Sequence, residues 1–161
     1  MLTQSELKSI LHYDEFTGIF TRLKSEGGVV AGSICNSHNN EDYIVTRISN
    51  KRYSAHRLAF LYMLGAFPAN QVDHKNGIKS DNAWSNLREA TNSENAQNKR
   101  KHMSNNTVGY LGVGFHVRDK NFVARITING KLKYLGSFAT AKDASERYLA
   151  EKRKLHTFCT I

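Results

Sequence analysis

The sequence predicts an α+β fold made of two small modules, and three observations carry that prediction. Short segments alternate apolar and polar residues with period two and are rich in β-branched types, most clearly Tyr43–Ile48 and Asn121–Ile128; such segments form half-buried strands. Two Thr-x-x-acid motifs, Thr91 to Glu94 and Thr140 to Asp143, satisfy the orphan amides that open a helix. The formal net charge of +9 is also segregated. Residues 1–98 carry ten Lys/Arg against ten Asp/Glu, whereas residues 99–161 carry thirteen against four. A charge step of this kind marks a border between modules.

The composition narrows the function classes. With 161 residues, 40% apolar content and one Pro, the chain can bury one or two modest cores. Its apolar run from Leu58 to Phe67 is about half a bilayer span, and no charged n-region with an apolar run opens the chain, so no membrane partner and a cytoplasmic location are expected. Cys35 and Cys159 are too few for a disulfide framework or a four-Cys structural zinc site. The basic C-terminal part attracts phosphate backbones through counterion release; the bland alternative is a solvated basic face.

Taken in order, Ser5–Leu11 after Thr3 predicts a helix, Gly18–Leu23 a strand, Gly27-Gly28 a turn and Asn39–Asp42 a loop. Tyr43–Ile48 is a strand, Ser49-Asn50 a turn and Tyr53 the start of another strand; His56–Leu64 has helical apolar spacing and stops at Gly65. Val72–His74 and Asn86–Ala90 are short strands on either side of an Asn76-Gly77 turn signal, and Thr91 caps a helix running through Asn95 towards Arg100. That order is a ββα unit over about 70–100, followed by a basic linker over 99–108. The remainder, 109–161, holds strands at Tyr110–His116, Asn121–Ile128 and Lys131–Phe138, with Asn129-Gly130 as a hairpin turn. A closing helix carries Ala141, Ala144, Tyr148 and Leu155 on one face. A sheet with one helix on it is a self-sufficient layer pair.

The ββα unit also carries chemistry. Phosphodiester hydrolysis needs a base for water and a charge to stabilise the phosphate and leaving oxygen, which one His and one divalent cation can supply. Asp73 and His74 are adjacent, so in a strand they point to opposite faces and can serve different roles. Asp73 and Asn95 offer oxygen ligands, a set that suits Mg²⁺, with Mn²⁺ as a substitute.

Val72-Asp73-His74-x-Asn76-Gly77, Ser80-Asp81-Asn82, Asn86-Leu87-Arg88 and Thr91-x-x-Glu94-Asn95 together resemble the HNH endonucleases of the phage and intron-encoded homing type. The resemblance implies an HNH endonuclease region over residues 1–98, with a ββα-metal (His-Me finger) core at about 70–100, that cleaves or nicks DNA with one divalent ion. It implies His74 as general base, Asn86 as the Asn that braces the hairpin and orients that His, and Asp73 and Asn95 as metal ligands. The last motif letter is His in many members and Asn95 here, as in the homing subgroup. Tyr53-x-x-His56-Arg57 fits the same subgroup, with Arg57 touching phosphate and His56 either functional or structural. A bacteriophage source, and so the host-cell cytoplasm, is implied with it.

The tail has its own resemblance. Gly109-Tyr-Leu-Gly-Val113, Phe115, Asn121–Ile126, Tyr134–Phe138 and Thr140-Ala-x-x-Ala144 resemble the Apetala-2/ethylene-response-factor DNA-binding domain, with Phe115 and Phe122 where many relatives have Trp. It implies a sheet laid on double-stranded DNA, the face away from the helix presenting residues such as His116, Arg118, Lys120, Arg125, Lys131 and Lys133, with strand register deciding which of them lie on that face. The expected protein is a monomeric site-specific DNA endonuclease with no small-molecule cofactor. The alternative is a non-catalytic DNA-binding regulator on the same frame, told apart by metal-dependent cleavage. An RNA-binding role lacks the aromatic stacking sets that single strands need.

Overall fold

In the computed structural model, which describes residues 1–102 and 104–161, the chain divides into two compact units, Met1–Thr91 and Asn92–Ile161. Among the described residues no helix is long and apolar enough to cross a membrane.

The first unit opens with helix α1 (Gln4–Ile10). Thr3 is its N-cap, and the Glu6 carboxylate accepts from the Thr3 amide at 2.8 Å, completing a reciprocal capping box. Strands β1 (Leu11–Tyr13) and β2 (Phe20–Arg22) form a two-stranded ribbon. A three-stranded antiparallel sheet follows, from β3 (Ser37–His38), β4 (Ile44–Ile48) and β5 (Lys51–Ser54), in the order β3-β4-β5. Ser49 and Asn50 join β4 to β5 with φ of 46° and 62°, which matches a tight hairpin turn of the type that follows strand twist. Helix α2 (Ala55–Leu64) ends where Gly65 adopts φ 80°. The core gathers Leu7, Leu11, Phe20, Ile48, Leu58 and Leu61; Tyr13 stacks on Phe20 at 4.6 Å, and Trp84 packs edge-on to Phe60 at 4.9 Å.

Strands β6 (Gln71–His74) and β7 (Leu87–Ala90) then pair antiparallel, Asp73 opposite Arg88 and His74 opposite Leu87. Asn76-Gly77 turns the chain after β6, the Gly77 amide donating to the His74 carbonyl at 2.8 Å. The connection spans 75–86, with a 3₁₀ turn at Trp84–Asn86, and Asn76 makes an Asx turn in which its Oδ1 accepts from the Ile78 amide at 2.9 Å.

The second unit begins with α3 (Asn92–Gln97), which stops short of Arg100. The stretch expected as a linker belongs with this unit, seven residues ahead of the expected border after 98. Its backbone and side chains are tied to the chain end. Lys152 Nζ donates to the Lys99 carbonyl, Arg100 Nη2 donates to Thr160 Oγ1 at 2.6 Å, and Thr160 Oγ1 donates to the buried Asn98 Oδ1 at 2.7 Å. Met103, within that expected linker, lies outside the described residues. Strands β8 (Val113–His116), β9 (Asn121–Ile128) and β10 (Lys131–Phe138) form an antiparallel sheet in the order β10-β9-β8. The Asn129-Gly130 turn has φ of 49° and 75°. Helix α4 (Ala141–Leu155) is capped by Thr140, whose hydroxyl accepts from the Asp143 amide at 3.1 Å. Val113, Ala124, Ile126, Ala144 and Tyr148 make the buried layer between sheet and helix. Leu155, expected on the packed face, is 37% exposed, and the aliphatic stem of Lys152 is buried in that last turn instead.

Candidate functional site

The β6–β7 pair places Asp73 and His74 side by side, both buried, at 5% and 4% exposure. Strand alternation gives them separate environments. Across the ladder Arg88 meets Asp73, its Nε and Nη2 donating to Oδ2 at 2.8 and 2.7 Å. His74 enters an aromatic enclosure, with the Tyr43 ring at 5.9 Å and the His56 ring edge-on at 5.4 Å. Tyr43 in turn carries Lys79 Nζ over its ring at 4.6 Å.

The orientation of the His74 ring is set by Asn82. Asn82 Nδ2 donates to the Ser80 carbonyl at 3.2 Å, which assigns its Oδ1 to the side facing His74 Nε2, 3.2 Å away. An oxygen there requires Nε2 to carry the proton, so in the neutral ring the basic lone pair sits on Nδ1. Burial lowers the His74 pKa below the ordinary histidine value, opposed by the Asn82 hydrogen bond and the Asp73 charge. The imidazole is therefore neutral near pH 7 and able to accept a proton.

Asn82 is itself fixed by the N-terminal ribbon. Tyr13 Oη donates to its carbonyl at 2.7 Å, the Trp84 amide donates to the Glu15 carbonyl at 2.8 Å, and Gly18, at φ 73°, lies so close that an added Cβ would stand 2.1 Å from the Asn82 backbone. Only glycine permits both that φ and that approach.

Asn86 braces the loop. Its Oδ1 accepts from the Asn76 amide at 2.9 Å, while its Nδ2 donates to Asn76 Oδ1 at 3.0 Å and to the Asp81 carbonyl at 2.8 Å. Asn86 thus bonds within the loop, whereas the amide oxygen against the His74 ring belongs to Asn82. The Ser80-Asp81-Asn82 motif contains Asn82, but an eight-residue separation across an irregular loop gives no local signal for the pairing. His56, left between two roles by the sequence, is 9% exposed, and its buried Nδ1 has no hydrogen-bond partner among the described residues.

The remaining expected residues are distributed as follows. Asn95 lies on α3 in the second unit and is partly buried. Arg57 donates to the Asn70 and Pro68 carbonyls at 3.4 and 3.2 Å, so its guanidinium holds the 67–70 turn. On the C-terminal sheet, Arg125 is exposed and shares a register position with Tyr134, and His116 lies on the same outward face. Arg118 and Lys120 sit in the exposed β8–β9 turn, with Lys120 at φ 49°. Lys131 and Lys133 correct the expected set: they pair with Ile128 and Ile126, so they share the helix-side face, and Lys133 Nζ reaches Glu151 of α4 at 3.7 Å. The outward positions of β10 are Leu132 and Tyr134, 65% and 59% exposed. One residue of register decides this, because a strand reverses its faces at every step.

Asp73 supplies the oxygen chemistry that a hard cation takes. A carboxylate offers two oxygens and about four lone-pair sites, so the Arg88 pair on Oδ2 is compatible with Asp73 also holding a metal through oxygen. Among the described residues, no three His, Cys, Asp or Glu side chains gather in one place.

Comparison with known proteins finds a partial match. Residues 53–97 match the model of the HNH endonuclease family. No curated protein sequence matches significantly. Among solved structures, the chain is similar to one described as DNA binding and cleavage by the HNH homing endonuclease I-HmuI, at 22% identity and a TM-score of 0.42, over 90% of this chain and 80% of that one.

Proposed function

We propose that this chain is a site-specific DNA endonuclease of the homing type that hydrolyses a phosphodiester bond of double-stranded DNA, with His74 as general base. The observation that carries the reading is the coincidence of the family match with the site. Residues 53–97 contain Asp73, His74, Asn82, Asn86 and Asn95, and the neutral, oriented His74 imidazole has the chemistry the family name requires.

In this reading His74 takes a proton from a water as its oxygen attacks phosphorus in line with the leaving 3′-oxygen. Asn82 holds Nε2–H in place throughout and stabilises the imidazolium as it forms. Asp73 and Asn95 would hold the divalent cation, Mg²⁺ or Mn²⁺, which when bound stabilises charge on the phosphate and the leaving oxygen. Arg88 holds the Asp73 carboxylate in place through Oδ2. The second unit, with Arg125 and the Arg118–Lys120 turn, would hold duplex DNA in the manner of an Apetala-2-like sheet. With one such site per monomer, cutting one strand is the simplest outcome.

Incubating supercoiled plasmid carrying the target with Mg²⁺ tests the reading. Relaxed circles should accumulate, and His74→Ala should slow them by about 10²–10⁴-fold, the range of a general base. Asn82→Ala should slow them by about 10–100-fold, as loss of an orienting partner does. Binding without nicking in Mg²⁺, Mn²⁺ or Ca²⁺ would replace the endonuclease with a regulator.

A further inference from the structure

The first unit holds a buried cation that the nuclease chemistry leaves unused. Arg22, on β2, is 6% exposed, and a charge removed from water is costly unless paired. Its Nη2 donates to Thr46 Oγ1 at 3.2 Å and to the Arg47 carbonyl, while its Nε is buried without a hydrogen-bond partner among the described residues. Both acceptors are neutral. Among the described residues no carboxylate forms an ion pair with Arg22, Arg47 or Arg52.

A second observation points the same way. Arg47 and Arg52 stand directly opposite each other in the β4–β5 ladder, an arrangement that repels when both partners carry the same charge. Both are exposed, so each could have been any polar residue. With Arg22 they line one cavity of about 340 Å³, which Ser37, His38 and Thr46 also line and to which no Asp or Glu contributes. Three arginines, one buried and two exposed, therefore contribute to the lining of one space together with hydroxyl residues and without Asp or Glu. A tetrahedral oxyanion answers each feature: it pairs the buried charge, relieves the cross-strand repulsion and accepts from planar donor forks.

We propose that this cavity is a phosphate-binding site, and that its occupant is a phosphodiester of the bound DNA backbone gripped away from the scissile bond. The phosphate chemistry follows from the cavity alone; naming DNA as its source rests on the endonuclease reading. The cavity would act as an anchor fixing the first unit on the duplex, a contact that positions without reading sequence.

Two measurements on the full chain, made without divalent ions so that cleavage does not enter, test this. First, inorganic phosphate at constant ionic strength should raise the thermal midpoint reported by Trp84 fluorescence; a ligand at ten times its Kd shifts the folding constant about 11-fold. The rise should vanish in Arg47→Gln/Arg52→Gln, a surface pair whose loss leaves the core intact, and in Arg22→Gln if that variant folds. Second, the dependence of log Kobs on log salt for a duplex should lose about 0.9 from its slope in the double variant, the value of one shared phosphate. Stabilisation by phosphate with an unchanged slope would mean free phosphate, not DNA, is the occupant, and would overturn the anchor. A slope loss of about 1.8 would mean two separate surface contacts and overturn the shared site, as would the absence of any phosphate effect. Plasmid nicking by the wild-type chain, measured separately with Mg²⁺, tells failure of the anchor from failure of the endonuclease reading.

Discussion

Lowering the pH from 7 to 5 should weaken the first unit through His56, and the size of the effect follows from its surroundings. The ring is 9% exposed, edge-on to Tyr43 at 5.0 Å and to His74 at 5.4 Å. Burial, then the neighbouring His74 and Arg57, brings its pKa from 6.5 down to about 4. Between those values the unfolded chain takes up a proton that the folded chain refuses. The stability contributed by neutral His56 is therefore complete above pH 6.5 and lost as the pH falls towards 4. At about 1.36 kcal/mol per pH unit, the loss is about 2 kcal/mol by pH 5 and about 3 kcal/mol at its full extent. Trp84, the one Trp of the chain, packs on Phe60 and reports this unit by fluorescence. Urea unfolding at pH 7 and pH 5 should show His56→Phe, which keeps a ring and removes the proton site, losing about 2 kcal/mol less than the wild type. His74, also held down by burial, is common to both proteins and cancels to first order. Equal losses in the two proteins would refute the burial argument.

Further outcomes follow from the same geometry. Gly18→Ala forces a Cβ to 2.1 Å from the Asn82 backbone at φ 73°; it should cost at least about 1–3 kcal/mol in urea unfolding and also slow nicking, because the displaced segment carries Asn82. On the C-terminal sheet, Arg125→Gln should lower the log–log salt slope of duplex binding by about 0.9 if Arg125 contacts a phosphate. Lys133→Gln, on the helix side and beside Glu151, should leave that slope unchanged. Reversal of those two results, read by fluorescence anisotropy across a salt series, would place the DNA on the other face.

Much of this protein is legible one segment at a time. The Thr3 and Thr140 caps, the Ser49-Asn50 and Asn129-Gly130 turns and the stop at Gly65 follow from local backbone chemistry, and each sits where its residues require. The choice of Asp73 and His74 was equally local, because adjacent residues on a strand divide between two faces. Less legible was anything depending on register or on a long loop. Asn76-Gly77 marked a turn and the polar residues after it a loop, but the Asn86 and Asp81 contacts that hold the loop join residues five to ten apart. The expected linker looked like a free basic run until the chain end supplied acceptors and donors for Asn98, Lys99 and Arg100.

By itself the sequence determined most of the longer elements, several caps and turns, the α+β class and the His74-centred motif, since propensity, periodicity and capping act over a few residues. Tertiary structure alone decided that Asn82 orients the His74 ring, that Lys133 faces a helix while Tyr134 faces outward, and that Arg22 is buried between Thr46 and Arg47. These are contacts between residues distant in the chain, or choices of strand face set by pairing. Only the folded chain fixes the distance, dielectric and register on which they depend.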